Sequence, residues 1–280
     1  MKERFLISAV FLISFFSLRA QENFSADVSV KTEPTEKINF NQTNINLIYS
    51  KKIGSKNQII NQLGYSNLNV NYEITQYKGF TNLNTMNQIL NRFEFSHEIT
   101  EKSKWNAVLI PTANFQQQLD FSDFTILGSI GFKYKLSSKT EVNIGAGRTA
   151  VFGYPQFMPF LSFDYQYNES ALFSIGFPDS KFSFSNNSRN AFSLTNSFNG
   201  NFYQLDNKVQ SNLNASKASM SQMTTAFEYE RNVDKNWFLN FKAGYDFNKK
   251  YNLLDSNNHK VYDFATGNGY VLGIGIKYKQ

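Results

Sequence analysis

The chain has 280 residues and no cysteine. A disulfide framework and a thiolate metal site are therefore out of reach. Histidine occurs only twice, at His97 and His259, which leaves little for zinc ligation or general-base chemistry. Tryptophan is as scarce, with 2 residues. No stretch beyond residue 20 approaches the roughly 18 apolar residues of a membrane-spanning helix. No basic cluster forms a nucleic-acid footprint, so no nucleic-acid partner is expected. No phosphate-cradling loop is present either. Gly145-Ala146-Gly147 and Gly273-Ile274-Gly275 fall inside strand patterns, where glycine permits bending or close packing.

Aromatics are abundant, with 29 Phe and 15 Tyr, yet the mean hydropathy is −0.42. That mix is unusual for a soluble enzyme. It suits a barrel whose apolar side chains alternate with Asn, Ser, Thr and Gly. The formal charge is +6; losing residues 1–20 removes Lys2, Arg4, Arg19 and Glu3 and leaves +4. So modest an excess fits solubility or contact with anionic lipid headgroups.

Residues 1–20 read MKERFLISAVFLISFFSLRA. Lys2 and Arg4 supply a positive start, Phe5 to Leu18 an apolar stretch, and Ala20 a small residue before the cut. That layout is a cleaved secretory signal peptide, with Leu18 larger than the usual residue three places before cleavage. No cysteine follows to carry a lipid anchor. The predicted division is a signal peptide at 1–20 and one domain at 21–280.

Period-two alternation dominates the mature chain. In DFTILGSIGFKYKL, Phe124, Ile126, Ile130, Phe132, Tyr134 and Leu136 share one parity, against Asp123, Thr125, Ser129, Lys133 and Lys135. Successive strand side chains point to opposite faces, so the segment has one apolar and one wet side. WFLNFKAGYDF, MTTAFEYER and GYVLGIGIKYKQ repeat the pattern. A soluble sandwich also alternates. These strands, however, run to about 11–14 residues, where soluble ones run about 5–6 and a tilted membrane strand needs about 9–11.

Connections also alternate in length. Tight polar turns occur at 51–56, 101–104, 137–139, 168–170 and 232–235. Longer or irregular ones occur near 78–85, 117–123, 152–156, 207–218 and 249–267. Short turns on the periplasmic side and longer loops outside are the outer-membrane arrangement. Strands are predicted near 24–31, 38–50, 57–77, 84–100, 105–117, 122–136, 140–151, 156–168, 170–178, 181–186, 190–206, 219–231, 236–248 and 268–279. The predicted fold is all-β: a closed, antiparallel, up-and-down transmembrane barrel of about fourteen strands. Pro178 cannot donate to a ladder, so the alternative is twelve strands, with 179–218 as one loop. The loop around 249–267 is expected to be the most mobile segment.

Tyr134, Tyr165, Tyr167, Tyr245, Tyr270 and Tyr278 are candidates for the aromatic girdles at the two interfaces. Parity directs Arg92, Glu94, Lys133, Lys135, Asp164, Glu228, Glu230, Lys242 and Asp246 into the lumen. There they would set the field of a pore, or pair with one another and fill the interior.

The stretch EVNIGAGRTAVFGYPQFMPFLSFDYQYNESALFSIGFPDSKFSFSNNSRNAF has a Gly-rich strand at Gly145 and Gly147. A second strand runs from Pro159 to Tyr167, and a third closes at Phe177-Pro178. This stretch resembles a family of uncharacterised outer-membrane β-barrel domains of Gram-negative bacteria. The resemblance implies an outer-membrane location and no known substrate. The C-terminal strand also resembles an assembly signal for such barrels, through Gly273, Ile276 and Tyr278, but it ends in Lys279-Gln280 rather than an aromatic. The expected partners are outer-membrane lipid and lipopolysaccharide, and the barrel-assembly machinery through that strand. Oligomeric state is left open.

A nucleophile–base pair is not found. Ser96 and His97 are adjacent, so on a strand they face opposite ways. His259 has only Asp255 and Asp263 nearby in sequence, too few for a metal. No catalytic residue, metal or cofactor is expected. The leading expectation is a non-enzymatic, porin-like barrel of the cell envelope: a narrow pore or a structural or transport barrel. The alternatives are a lipid-modifying membrane enzyme and a surface adhesin or receptor acting through outer loops.

Overall fold

The computed structural model describes residues 23–206 and 214–280. The expected signal peptide, and residues 207–213 within the connection expected at 207–218, lie outside the described residues. Fifteen strands follow one another: β1 (Asn23–Pro34), β2 (Ile38–Ile53), β3 (Asn57–Tyr72), β4 (Thr85–Glu98), β5 (Ser103–Phe115), β6 (Phe124–Lys135), β7 (Thr140–Thr149), β8 (Gln156–Asn168), β9 (Ala171–Phe177), β10 (Asp179–Asn187), β11 (Asn190–Gln204), β12 (Lys217–Asn232), β13 (Trp237–Leu254), β14 (Lys260–Asp263) and β15 (Gly269–Lys279). Each barrel strand pairs antiparallel with its chain neighbours, and β15 pairs with both β13 and β1, which closes the ring. Strand β14 pairs only with the tip of β13. The wall therefore has 14 strands. The twelve-strand alternative falls, because β10 and β11 run through the segment it left as loop.

Alternation works because the two faces meet different solvents. Ile126, Ile130, Ile175 and Tyr270 are each 61–68% exposed on the outer face. A closed sheet satisfies its own backbone and can present such a face to hydrocarbon. The tyrosines expected in girdles share that outward parity. Tyr134, Tyr165, Tyr167 and Tyr278 lie toward one rim, Tyr245 and Tyr270 toward the other.

The rims differ. One carries the tight turns 54–56, 99–102, 136–139, 169–170, 188–189 and 233–236, with Asn23 and Lys279 beside them. We call it the turn end. The loop end carries 73–84, 116–123, 150–155 and 255–268, but also two short links, 35–37 and Pro178. Strand β3 stops at Tyr72, short of the expected residue 77, and a 3₁₀ segment, Thr75–Leu83, follows.

Two departures shape the loop end. First, β13 continues to Leu254 and turns back as β14, where a mobile loop was expected. A bulge opposite Ser221–Met223 takes up one extra residue at Asn248, whose φ is 50°. The bulge reverses which parity faces inward. Before it Phe247 points out; after it Tyr251 and Leu253 point in and are fully buried.

Second, the hairpin β9–β10 is short. Beyond Ser197, which pairs with Asp179, β11 has no β10 partner and continues as an overhang to Gln204. There Gln204 forms a parallel bridge with Phe115 at the tip of β5. The Asp206 carboxylate fastens this seam by accepting from the backbone N–H groups of Gln117 and Gln118, both at 3.1 Å. The β7–β8 connection laps the overhang from outside: a side chain at Gly200 would strike the carbonyls of Ala150 and Val151. Phe152, Phe177 and Phe198 pack together above the short hairpin.

Candidate functional site

The inner face is polar through most of its length and aromatic at the loop end. Ile38, Phe40, Leu68, Val70 and Met86 point inward from β2, β3 and β4. Tyr77, Phe80 and Leu83 come from the 3₁₀ segment, and Tyr203, Ala215, Ala218, Tyr251, Leu253 and Phe264 complete the cluster. The rings of Tyr251 and Phe264 stack at 4.2 Å. The Tyr77 hydroxyl donates to the Phe264 carbonyl, and Tyr72 and Tyr251 share a hydrogen bond of 3.1 Å between their hydroxyls. Burial raises the Tyr77 phenol above its ordinary value, helped by Tyr262 and Asp263. These residues form a plug that draws on the wall, the 3₁₀ segment and the β13–β14 hairpin together.

Beneath the plug lies a buried ion network. Lys249 uses all three of its ammonium donors, on Glu33 Oε2 at 2.5 Å, Gln222 Oε1 at 2.9 Å and Asp246 Oδ2 at 3.1 Å. Its charge sits 4.7 Å from the Phe40 ring centroid. Glu33 also holds Lys31 at 2.6 Å, and Asp246 accepts from the Thr224 hydroxyl at 2.6 Å. The Asn248 bulge makes this possible, since it turns Asp246 and Lys249 to the same side of one strand. A cavity of about 280 Å³ adjoins the network. A second, of about 550 Å³, is lined toward the turn end by Asp27, Lys31, Lys181, Glu228, Glu230, Lys242 and Lys277. The two share Lys31, Gln42 and Lys242, so they lie next to each other on the inner side of the wall below the plug.

The structure places the nine sequence-predicted charges on the parity opposite the exposed apolar residues of their strands. Most are paired. Arg92 meets Glu94 at 2.7 Å, Lys133 meets Glu141 at 3.4 Å, and Lys242 meets Glu228 at 3.2 Å. Glu230 holds both Lys277 (3.2 Å) and Lys279 (2.7 Å). Asp164 accepts from Ser174, and Asp246 joins the buried network. Lys135 is exposed and makes no ion pair among the described residues. Only Glu228, Glu230 and Lys242 line the larger cavity. Lys31, Glu33 and Lys249 escaped sequence reading. Alternation extended through β1 would have found the first two; Lys249 lies just past the change of phase.

The histidines take separate places. His97 Nδ1 is 2.8 Å from Asn57 Oδ1 near the turn end, while Ser96 faces the other way and is buried. His259 is exposed and 3.3 Å from Asp255. Among the described residues no group of three or more His, Cys, Asp or Glu could hold a metal. No helix there is long and apolar enough to cross a membrane, which says nothing of strands.

Residues 18–279 match the profile of the family described as Domain of unknown function (DUF6268). The chain belongs to that family. No curated protein matches the sequence. Among solved structures, this member's fold is similar to the TodX monoaromatic hydrocarbon channel deltaS2 mutant, with a TM-score of 0.52 and 11% identity over 93% of this chain and 90% of that one. A Pseudomonas aeruginosa FadL homologue matches with TM-score 0.45 and 7% identity over 92% and 89% of the two chains. The NanC porin matches with TM-score 0.44 and 8% identity over 91% and 100%. At such identities the likeness concerns fold alone. This DUF6268 chain is thus a β-barrel of the outer-membrane type.

Proposed function

We propose that this protein is an outer-membrane transport barrel whose channel is shut at the loop end by its own residues. The carrying observation is the pair of adjacent, charge-lined cavities inside the wall, the upper one adjoining the ion network beneath the aromatic plug. An interior space of about 550 Å³ bounded by charges of both signs supports that reading over a barrel whose interior is filled by side chains alone. By the rule of short periplasmic turns, the turn end faces the periplasm and the plug faces outward. The paired inward charges set the field that a passing solute meets once the plug moves.

Planar-bilayer recording tests the reading. The wild type should show low basal conductance, and Phe264→Ala, which thins the plug, should give discrete openings of higher probability. If that variant keeps its heat-modifiable gel mobility and yet stays silent over many insertions, the channel reading falls. Among the described residues neither histidine meets a serine or threonine hydroxyl as a base would, so the side-chain geometry lends no support to a lipid-modifying site of the Ser–His kind.

A further inference from the structure

Among the described residues of the outer wall, Arg148 is a cation in an apolar setting. Arg148 is the penultimate residue of β7, near the loop end. It shares its parity with Ile144 and Ala146, both exposed on the outer face. Its guanidinium makes one hydrogen bond among the described residues, from Nη1 to the carbonyl of Ile126 at 2.6 Å. A guanidinium has five N–H donors, so most of them are left for another acceptor. Around it stand exposed Ile126, Leu109, Ile130 and Phe157.

These residues border a trough of about 700 Å³ over β4 to β8. Its floor is low where Ala107, Gly128 and Ala146 present little side chain, and Arg148 closes it on the loop-end side. Hydrocarbon cannot solvate a guanidinium; a charge placed there reaches for the interface or for a counter-ion. The anion available at that depth, beside an apolar trough, is the phosphate of a membrane lipid. Bidentate geometry makes arginine suited to it.

We infer that the β4–β8 face binds one phosphorylated lipid of the outer leaflet, with its phosphate on Arg148 and an acyl chain in the trough. The inference needs the barrel and its membrane, and does not depend on whether the lumen conducts.

The test uses the full barrel in detergent, with bis-phosphorylated lipid A, phosphate-free lipid A and inorganic phosphate as three probes. Bis-phosphorylated lipid A should raise the thermal transition by several degrees, as expected when a ligand exceeds its dissociation constant by about a hundredfold. The other two probes should not. Arg148→Gln should weaken that binding about tenfold, the worth of a charge-assisted hydrogen bond. Ala146→Phe, which fills the trough while leaving the cation, should weaken it too. Heat-modifiable mobility confirms that each variant is folded; a variant that fails this control is replaced by Arg148→Lys or Ala107→Leu, which should give smaller losses of the same sign. Equal shifts with wild type and Arg148→Gln would overturn the phosphate contact. An equal shift with inorganic phosphate, or with phosphate-free lipid A, would overturn the paired site. Absence of any shift in the wild type would overturn it outright.

Discussion

Replacing Lys249 with methionine keeps the length of the side chain and removes its charge. Three hydrogen bonds disappear together, those to Glu33, Gln222 and Asp246. The Lys249 side chain is 3% exposed, Asp246 0% and Glu33 7%, so water cannot make up the loss. Glu33 retains Lys31, but Asp246 keeps only Thr224. Leaving one buried charge unpaired costs about 3–5 kcal/mol. At about 3 kcal/mol the opening equilibrium of the loop end shifts by roughly a hundredfold. Hydrogen exchange reads this locally: amides at 250–254 should lose protection by about that factor, while β6 and β7 amides stay unchanged. Channel openings should rise in parallel. Adding Asp246→Asn to Lys249→Met removes the stranded charge, so the pair should cost less than the sum of the singles by about 0.5–3 kcal/mol. Unaltered protection at 250–254, or strict additivity, would refute the view that this network braces the plug.

Three further outcomes follow from the geometry. The Tyr77 phenol is raised above its ordinary 10.0 by burial, so its neutral form stabilises the plug fully below pH about 10 and the contribution is lost as pH rises through the folded value. Conductance should therefore climb above that pH, and Tyr77→Phe should flatten the alkaline dependence; a profile identical to wild type would remove Tyr77 from the gate. Asp206→Ala takes the acceptor from two backbone N–H groups at the β5–β11 seam. It should cost about 0.5–1.5 kcal/mol per bond, seen as faster exchange at Gln117 and Gln118, and equal exchange would mean the seam holds without it. Gly145→Ala drives a methyl into the Phe160 ring and the Ile130 carbonyl; overpacking of this kind costs about 1–3 kcal/mol, measured as a lower midpoint of denaturant unfolding, with an unchanged midpoint speaking against the close contact.

How much of this was written in the sequence depends on where the two solvents stay separate. Along β6 or β15, hydrocarbon lies on one side and water on the other, so apolar residues recur at every second position with few exceptions, Leu127 and Val271 among them, and the strands could be read directly. The same logic placed Glu228 and Lys242 on the inner face. At Asn248 the logic fails, because one extra residue shifts the phase. After it, Lys249-Lys250-Tyr251-Asn252-Leu253-Leu254 reads as the start of a polar loop. In the folded protein Tyr251 and Leu253 face a second apolar environment, the plug, which no strand-by-strand pattern announces. The seam between β5 and β11 was hidden for a different reason. It joins residues 115 and 204, which meet where β6 has already stopped opposite Ala113 and the β9–β10 hairpin falls short of the end of β11. Pro178 hinted at that shortness, since it cannot donate to a ladder.

The direct bridge between β5 and β11 bypasses the five strands β6–β10, so a ring of 14 strands at the turn end becomes nine at the loop end. The barrel is a funnel. Bore follows strand number, and a ring of about eight strands has room only for side chains or one small ligand. Stripping the plug away would thus expose a neck and not a wide pore. On the proposed transport reading, the upper limit on cargo size would be set by the backbone register of the wall, and changes to plug residues would alter how often the passage opens but not how large a molecule it admits.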